Sequence, residues 1–262
     1  MIMDKDFNNL LYQFNKIANK NWIKAINNNH GAVGNTFEKE LNKDPDSNFF
    51  PDYYGIEIKC STNSSKYPLY LFTVAFDGPS FPEINRLVDL YGHPDKDFKD
   101  KNVLFVKLNA LEKTTVDNKY KFKLSIDRDE EKIFLEVYDI NDNFIEKKSY
   151  VYFKSIYNHL YLKLKNLAYV KAYKKRIDKE LYFRYYSINL YKINEFDVFL
   201  YLLQMAYIKV DLIARISKSG NDAGRYRNKN LVFSIDKDKI EKLFTRVYKY
   251  NSDTMESFFI YK

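Results

Sequence analysis

Residues 50–59 read Phe-Pro-Asp-Tyr-Tyr-Gly-Ile-Glu-Ile-Lys, and this stretch indicates both the fold and the chemistry of the chain. Two isoleucines alternate with Glu57 and Lys59, which is the pattern of a β-strand with one polar face. Because side chains two positions apart on a strand point to the same side, Glu57 and Lys59 should lie next to each other. With Asp52 just before the strand, two carboxylates and one ammonium group are predicted to converge.

This set of groups suits the hydrolysis of phosphodiesters. A hard divalent cation offsets the charge that grows on the phosphate and lowers the pKa of the attacking water. Mg²⁺ prefers oxygen ligands and takes few protein carboxylates, so Asp52 and Glu57 are the candidate metal ligands, with Mn²⁺ as the expected substitute. Lys59 could orient or deprotonate the water and offset charge in the transition state.

The short motif Glu-x-Lys is weak evidence by itself. It occurs twice more, at residues 130–132 and 146–148, both beside predicted turns. Taken alone, the triplet at Glu57 would be better explained as the solvated face of a strand. It differs from the other two copies because it follows Pro51-Asp52 and lies within an apolar strand pattern.

The composition is basic and aromatic. Lys and Arg number 43 against 35 Asp and Glu, the formal net charge is +8, and 18% of the residues are aromatic. Such a chain could grip nucleic acid through charge and stacking, although an AT-rich coding bias would enrich the same residues. The single cysteine, Cys60, excludes an intramolecular disulfide and a multi-cysteine zinc cluster, so a reducing compartment is expected.

The sequence favours a cytoplasmic protein without membrane association. Its N-terminus lacks the basic region and the following apolar core of a secretory signal. Residues 198–208 are apolar, but they fall well short of the roughly 20 residues that a membrane span requires.

Hydrophobic periodicity predicts an α+β or mixed α/β fold with a sheet at its core. Helices are predicted at residues 7–23, 155–175 and 195–207 and from residue 237, together with a second helix capped by Asn35 or Thr36 and closed by residues 44–47. Strands are predicted at residues 55–60, 69–76, 103–108, 120–126, 133–138, 181–190, 210–216 and 231–235. The three strands between residues 103 and 138 are expected to form an antiparallel meander.

Three stretches in order resemble the MvaI/BcnI family of type II restriction endonucleases, which is related to the nicking enzyme MutH within the PD-(D/E)xK nuclease superfamily. They are Asn-Trp-Ile-Lys at 21–24, Gly-Ala-Val-Gly-Asn-Thr-Phe-Glu at 31–38, and Pro-Asp-Tyr-Tyr-Gly-Ile-Glu-Ile-Lys at 51–59. The ordered match covers about residues 20–76. The sequence departs from the family at Ile58, where Leu is frequent, and at Asn35, where a larger residue is usual.

The resemblance implies a restriction-endonuclease-like core with a mixed central sheet flanked by helices, and a smaller C-terminal DNA-recognition lobe. The core is expected at residues 1–150 and the lobe at 151–262. Carried over by position, Glu38, Asp52, Glu57 and Lys59 are the catalytic residues, with Asp52 and Glu57 on the metal. Glu38 could bind a metal water or orient Lys59, or it could be an ordinary acid at a helix N-terminus.

The resemblance also implies a monomer that reads bases in double-stranded DNA, with a DNA methyltransferase as the partner enzyme of the same restriction system. The candidate reading segment is residues 215–230. Its arginines could pair with guanine, and Asp222 could accept from cytosine, or the segment could be a flexible basic loop that touches only phosphates. The candidate DNA-binding residues are Arg215, Asp222, Arg225, Arg227, Lys229 and, near the glycine turn, His30.

Four cations, Lys171, Lys174, Lys175 and Arg176, could line a phosphate track or could mark the solvated end of a helix. The function expected is a Mg²⁺-dependent type II restriction endonuclease that cuts double-stranded DNA by direct attack of water. The alternatives are a MutH-like nicking endonuclease and a non-catalytic basic DNA-binding protein.

Overall fold

The computed structural model describes residues 5–43 and 51–259, apart from the side chains of residues 228, 229, 258 and 259. The helices are α1 (Lys5–Asn19), α2 (Ala32–Glu40), α3 (Glu83–Tyr91), α4 (Phe153–Asn158), α5 (Phe196–Gln204) and α6 (Ile240–Leu243). The strands are β1 (Ile23–Lys24), β2 (Glu57–Thr62), β3 (Leu69–Val74), β4 (His93–Pro94), β5 (Asn102–Leu108), β6 (Thr114–Val116), β7 (Tyr120–Asp127), β8 (Lys132–Asp139), β9 (Phe144–Glu146), β10 (Tyr150–Tyr152), β11 (Asn166–Ile177), β12 (Glu180–Ile193), β13 (Ile208–Ile216), β14 (Tyr226–Ile235), β15 (Phe244–Asn251) and β16 (Glu256–Phe259).

The chain divides into two compact units. Unit 1 comprises Met1–Tyr67, His159–Asn194 and Glu241–Lys262, and unit 2 comprises Pro68–Asn158 and Glu195–Ile240. The mixture of helices and several sheets confirms the predicted α+β class. In the described part of the chain, no helix is long and apolar enough to cross a membrane.

Unit 1 is built on a mixed sheet with the strand order β16-β15-β12-β11-β2, and β1 pairs with the far end of β12. β2 runs parallel to β11, whereas the β11–β12, β12–β15 and β15–β16 pairs are antiparallel. A parallel pair cannot be closed by a tight turn, so a long connection must separate β2 from β11. The mixed central sheet predicted from the sequence is therefore present.

Helices α1 and α2 contribute to the buried core on one face of this sheet. In α1 the buried apolar residues recur every three or four positions, at Phe7, Leu10, Phe14 and Ile17. They share the core with Phe37 of α2 and with the β-strand residues Ile58, Ala168, Val170, Ala172, Phe183 and Tyr185. The opposite face of the sheet carries Glu57 and Lys59, next to the buried Leu167 and Tyr169 of β11.

Unit 2 contains two sheets. One has the order β3-β14-β13-β5-β4, and the other has the order β10-β8-β7-β6 with β9 also paired to β8. The strands predicted at residues 120–126 and 133–138 form the antiparallel β7–β8 pair. The strand predicted at residues 103–108 is present as β5, but its place in the expected meander is wrong, because β5 pairs with β13 and β4 in the other sheet.

Two predicted helices have different bounds in the structure. Helix α1 ends at Asn19 and does not continue to residue 23, because Asn21 has a positive φ of 60° and Ile23 pairs with Phe183 in the sheet. Helix α2 begins at Ala32, so Asn35 and Thr36 lie inside it, and its predicted closing residues 44–47 lie outside the described part of the chain.

The helix predicted over residues 155–175 is wrong beyond its first part. Helix α4 and a π-helical turn (His159–Lys163) are followed by β11, which occupies the rest of the predicted helix. Pairing with β2 on one side and β12 on the other overrides that local preference. The predicted C-terminal helix is likewise reduced to a 3₁₀ turn (Lys237–Lys239) and α6 before β15.

The units interleave along the chain instead of meeting at one boundary near residue 150. The reason is the β2–β11 pairing, which requires the chain to return to unit 1 after residues 68–158.

Phe37 should be essential for the stability of unit 1, because its ring is fully buried between α2 and the sheet and lies 5.0 Å from the ring of Tyr185. We expect Phe37→Ala to lower the free energy of unfolding by about 3–5 kcal/mol. Trp22 is the only tryptophan and belongs to unit 1, so its fluorescence during urea unfolding measures this change. Tyr12→Ala, at a ring that is 58% exposed, is the control and should change stability far less.

Candidate active site

A tight turn sets the approach to β2. Tyr53 N–H donates to the carbonyl of Ile56 at 2.9 Å, and Ile56 N–H donates back to the carbonyl of Tyr53 at 2.8 Å. The two residues between them, Tyr54 and Gly55, have positive φ values of 43° and 79°. This is the backbone of a two-residue hairpin turn, in which glycine is favoured at the second position because it has no Cβ.

The turn brings Asp52 back alongside the strand. Asp52 Oδ2 accepts a hydrogen bond from Ile58 N–H at 2.9 Å, and Lys43 Nζ lies 3.4 Å from Asp52 Oδ1. The carboxylate is therefore fixed against the backbone of β2, between the positions of Glu57 and Lys59. The convergence of Asp52 with these residues follows from this hydrogen bond.

Glu57 is a buried carboxylate with one paired and one unpaired oxygen. Its exposed fraction is 1%, and Lys59 Nζ donates to Glu57 Oε1 at 2.6 Å. Lys163 Nζ lies 3.6 Å from the same oxygen. Glu57 Oε2 is buried and makes no hydrogen bond. A buried carboxylate oxygen without a partner carries a large desolvation cost, which a cation or a donor at this point would offset.

Burial raises the pKa of the Glu57 carboxyl above its ordinary value, and the negative charge of Asp52 acts in the same direction. The positive charges of Lys59 and Lys163 oppose this shift without cancelling it. Two carboxylates that disfavour each other's charge form a site where an added positive ion is favourable.

The donor set fits Mg²⁺. Within residues 5–43 and 51–259, no cluster of three or more His, Cys, Asp or Glu side chains is arranged to hold a metal ion. A cation bound here would take Asp52 and Glu57 from the protein and its remaining ligands from water or phosphate. That sharing is usual for Mg²⁺, which keeps several waters, and it is unusual for structural Zn²⁺ or Ca²⁺.

Glu38 lies in α2, which packs on β2. Its negative charge is among the causes that raise the pKa of Cys60, after the larger effect of burial. Cys60 follows Lys59 but points to the opposite, core face of the strand. Glu38 is thus near the site on its helix side. The Ile58 N–H places Asp52 beside the Lys59–Glu57 ion pair.

No sequence pattern pointed to Lys163 as a residue of the site. This residue ends the π-helical turn that precedes β11, and the parallel pairing of β11 with β2 brings it to Glu57. A second buried contact follows on the same face, where the hydroxyls of Ser61 and Tyr169 are 2.6 Å apart. Only the long-range pairing could have revealed either contact.

The predicted DNA-reading residues fall on the β13–β14 hairpin of unit 2. Arg215 and Arg227 are opposite each other in the register, and the guanidinium of Arg215 lies 4.3 Å from the ring centre of Phe105. Arg225 and Asp222 form an exposed ion pair at 3.2 Å in the connecting loop. The exposed Arg227 completes a group of polar side chains at this end of the hairpin.

The connecting loop has defined backbone contacts. Ser217 N–H donates to the carbonyl of Arg225 at 2.9 Å, and Gly224 N–H donates to that of Ser217 at 2.8 Å. Lys218 forms ion pairs with Asp95 and Asp97. These contacts connect the loop to the end of β13 and to Asp95 and Asp97. The role of the loop, reading bases or touching only phosphates, stays a prediction.

The remaining predicted residues lie elsewhere or cannot be described. His30 is exposed in the turn before α2, in unit 1. The side chain of Lys229 lies outside the described part of the chain, although its backbone belongs to β14.

Glu57→Gln should stabilise the metal-free protein. Because the pKa of Glu57 is raised, its ionised form disfavours the folded state at pH 7, and Lys59 and Lys163 are exposed enough to stay solvated without it. The gain in unfolding free energy, measured in chelator, should vanish below pH 4.5, the ordinary value, where Glu57 is protonated in both states.

The exposed Glu180, which pairs with Lys24, provides the control: Glu180→Gln should change stability little. A Glu57→Gln protein less stable than the wild type at pH 7 would contradict the stated cost of burying this charge.

Comparison with known proteins identifies the family. The sequence model of the MvaI/BcnI restriction endonuclease family matches residues 11–244. No curated protein sequence matches the chain. The structure is similar to that of restriction endonuclease MvaI in complex with its cognate DNA substrate, with a TM-score of 0.85, 28% identity, and coverage of 94% of this chain and 98% of the other. It also matches MvaI in the absence of DNA, with a TM-score of 0.60, 26% identity and the same coverage. The chain therefore belongs to the MvaI/BcnI restriction endonuclease family.

Proposed function

We propose that this protein is a type II restriction endonuclease that hydrolyses phosphodiester bonds in double-stranded DNA at a specific sequence, with Mg²⁺ as its cofactor. The observation that carries the proposal is the connected group of Asp52, Glu57 and Lys59, in which Glu57 Oε2 is buried without a partner. The cognate DNA substrate bound by the structural relative MvaI supports DNA as the substrate here.

Asp52 and Glu57 would hold the metal between the turn and β2. When bound, Mg²⁺ neutralises charge on the scissile phosphate and lowers the pKa of the attacking water. The protein contributes rigidity to this site: the Ile58 N–H fixes Asp52, and burial in the sheet fixes Glu57. Neither carboxylate needs to reorganise when DNA arrives, which keeps the cost of assembling the site low.

Lys59 would act on the phosphate and the nucleophile. Its ammonium group is held by Glu57 Oε1 at 2.6 Å, and its side chain remains 26% exposed, so it is both positioned and accessible. From there it can donate to a phosphate oxygen and orient the water that attacks. Glu38, on the helix side of β2, would support Lys59 indirectly.

The β13–β14 hairpin would read the bases. Arg215, Arg225 and Arg227 supply paired donors that suit guanine, and Asp222 supplies an acceptor that suits the amino group of cytosine. The backbone contacts of the connecting loop support this role, because a fixed loop loses less conformational entropy on binding than a flexible one. We extend the proposal to a monomeric, cytoplasmic enzyme whose host carries a matching DNA methyltransferase.

Lys59→Ala should abolish cleavage while binding persists. Removing the ammonium group takes away transition-state stabilisation, for which losses of about 10²–10³-fold per group are typical. Supercoiled plasmid of known sequence is incubated with wild type and variant in Mg²⁺, and the ends of the products are mapped. Lys132→Ala is a control, since it removes the lysine of another Glu-x-Lys copy in unit 2.

The products separate the proposed function from its alternatives. Discrete linear fragments from wild type and Lys132→Ala, but not from Lys59→Ala, support the restriction endonuclease. Open circles without linear product would indicate a nicking enzyme. If wild type binds plasmids of several methylation states without cutting any, a non-catalytic DNA-binding protein is the better description. Cutting that is undiminished by excess chelator would contradict the metal site.

Arg227→Ala should change site choice more than overall affinity. A guanidinium that pairs with a base contributes about 1–3 kcal/mol of discrimination, whereas a phosphate contact weakens binding to all sequences alike. The measurement is the fragment pattern on plasmid DNA together with affinity for cleaved-site and unrelated duplexes. Arg128→Ala, at another exposed arginine of unit 2, should leave the pattern unchanged. Equal weakening on both duplexes would make Arg227 a phosphate contact.

A further inference from the structure

The polar face of the unit 1 sheet extends beyond the candidate active site along β11. In the register, Lys59 of β2 is opposite Tyr169, and the residues that follow at alternate positions on β11 are Lys171, Tyr173 and Lys175. Side chains at alternate positions share a face, so these residues continue the face that carries Glu57 and Lys59. All three are half-buried.

Two aromatic contacts hold this row in place. Lys175 Nζ lies 4.0 Å from the ring centre of Trp22. Tyr173 stacks on Tyr186 of β12 at 4.2 Å, and the guanidinium of Arg184 lies 4.7 Å from the ring centre of Tyr173. Cations over aromatic rings gain stabilisation from the rings while their N–H groups remain available. The rings are already occupied by these neighbours, so they support cations rather than offering faces to bases.

The cations of this face differ in whether a carboxylate pairs with them. Arg184 is neutralised by Asp253 at 2.8 Å. Among the described residues, no carboxylate forms an ion pair with Lys171 or Lys175. Cations without a carboxylate partner, on the same face of the sheet as the candidate active site, complement a polyanion, and lysines are typical phosphate contacts.

We propose that Lys171 and Lys175, the latter held over the ring of Trp22, bind the phosphate backbone of the duplex that flanks the scissile bond. This proposal rests on the proposed function. We name Lys171, Tyr173 and Lys175 the β11 strip. At about 3.3 Å per residue, Lys175 lies roughly 20 Å along the strand from Tyr169. That length corresponds to about half a turn of duplex DNA, whose turn rises roughly 34 Å.

The same strand offers a matched control. Lys174 and Arg176 are opposite Phe183 and Leu181, two residues of the core face, so they point away from the strip. Both are exposed, and neither forms an ion pair within the described chain. The four cations between residues 171 and 176 are thus divided by the strand into two pairs on opposite faces.

The test measures binding of a 30-base-pair duplex of arbitrary sequence in Ca²⁺ over a range of salt. The double variant Lys171→Ala/Lys175→Ala should reduce the slope of log K against log salt by roughly 2, and at 0.1 M salt it should bind about 10- to 100-fold more weakly. Lys174→Ala/Arg176→Ala removes the same charge and should change both quantities little. Lys171→Arg/Lys175→Arg should bind as the wild type does.

Other outcomes overturn the proposal. If the two double alanine variants weaken DNA binding equally, only net charge matters and the strip has no special role. If the Lys171→Arg/Lys175→Arg variant also loses affinity while far-UV circular dichroism shows that it is folded, positive charge at these positions is not what binds DNA. Tighter binding of the matching single strand than of the duplex would assign the strip to single-stranded DNA. If the wild type cuts plasmid but the strip variants bind normally, the strip fails while the proposed function stands. If the wild type neither binds nor cuts DNA, both fail.

Discussion

The parallel pairing of β2 with β11 is the constraint on which the rest of the structure depends. β2 carries Glu57 and Lys59, and β11 lies about a hundred residues later in the chain. Because parallel neighbours need a long connection, the chain leaves unit 1 after β2, forms much of unit 2 and returns. The same pairing brings Lys163 to Glu57 and places Tyr169 opposite Lys59. The interleaved units, the charge balance of the site and the β11 strip are all consequences of one strand pair.

The burial of the Glu57 carboxylate in the candidate active site is electrostatically unfavourable. Glu57 is buried at 1% exposure with one oxygen unpaired, and its pKa is raised by that burial and by Asp52. A fold selected for stability alone would replace it with a neutral or apolar residue. A buried carboxylate beside Asp52 fits the divalent-cation site that we propose, because a bound cation would offset the cost of burying its charge.

The two faces of the unit 1 sheet have separate roles. One face is apolar and packs with α1 and α2, which fixes the backbone of β2. The other face carries Glu57, Lys59, Tyr169 and the cations of the β11 strip. Along β2, Glu57 and Lys59 alternate with residues that pack in the core. The strand is therefore held by its core face while its other face carries charged side chains. In unit 2, backbone hydrogen bonds link Ser217 with Gly224 and Arg225 in the β13–β14 loop, next to the arginines proposed to read DNA.

The sequence by itself determined the local parts of this arrangement. The alternation in residues 55–60 predicted β2 and the shared face of Glu57 and Lys59. Ordered motifs around residues 21–59 were sufficient to identify the family, which the match over residues 11–244 confirms. These features depend on neighbours within a few residues, where periodicity and turn preferences act directly.

Only the tertiary structure decided which distant segments meet. Residues 166–177 alternate Tyr and Lys with small apolar residues, and their identity as a strand depends on hydrogen bonds to β2 and β12 rather than on local preference. The same pairing determines that Lys171 and Lys175 lie on the sheet face of Glu57 and Lys59, while Lys174 and Arg176 lie on the other face. Lys163 could not be assigned from the sequence, because its contact with Glu57 exists only once two strands far apart in the chain are hydrogen-bonded side by side.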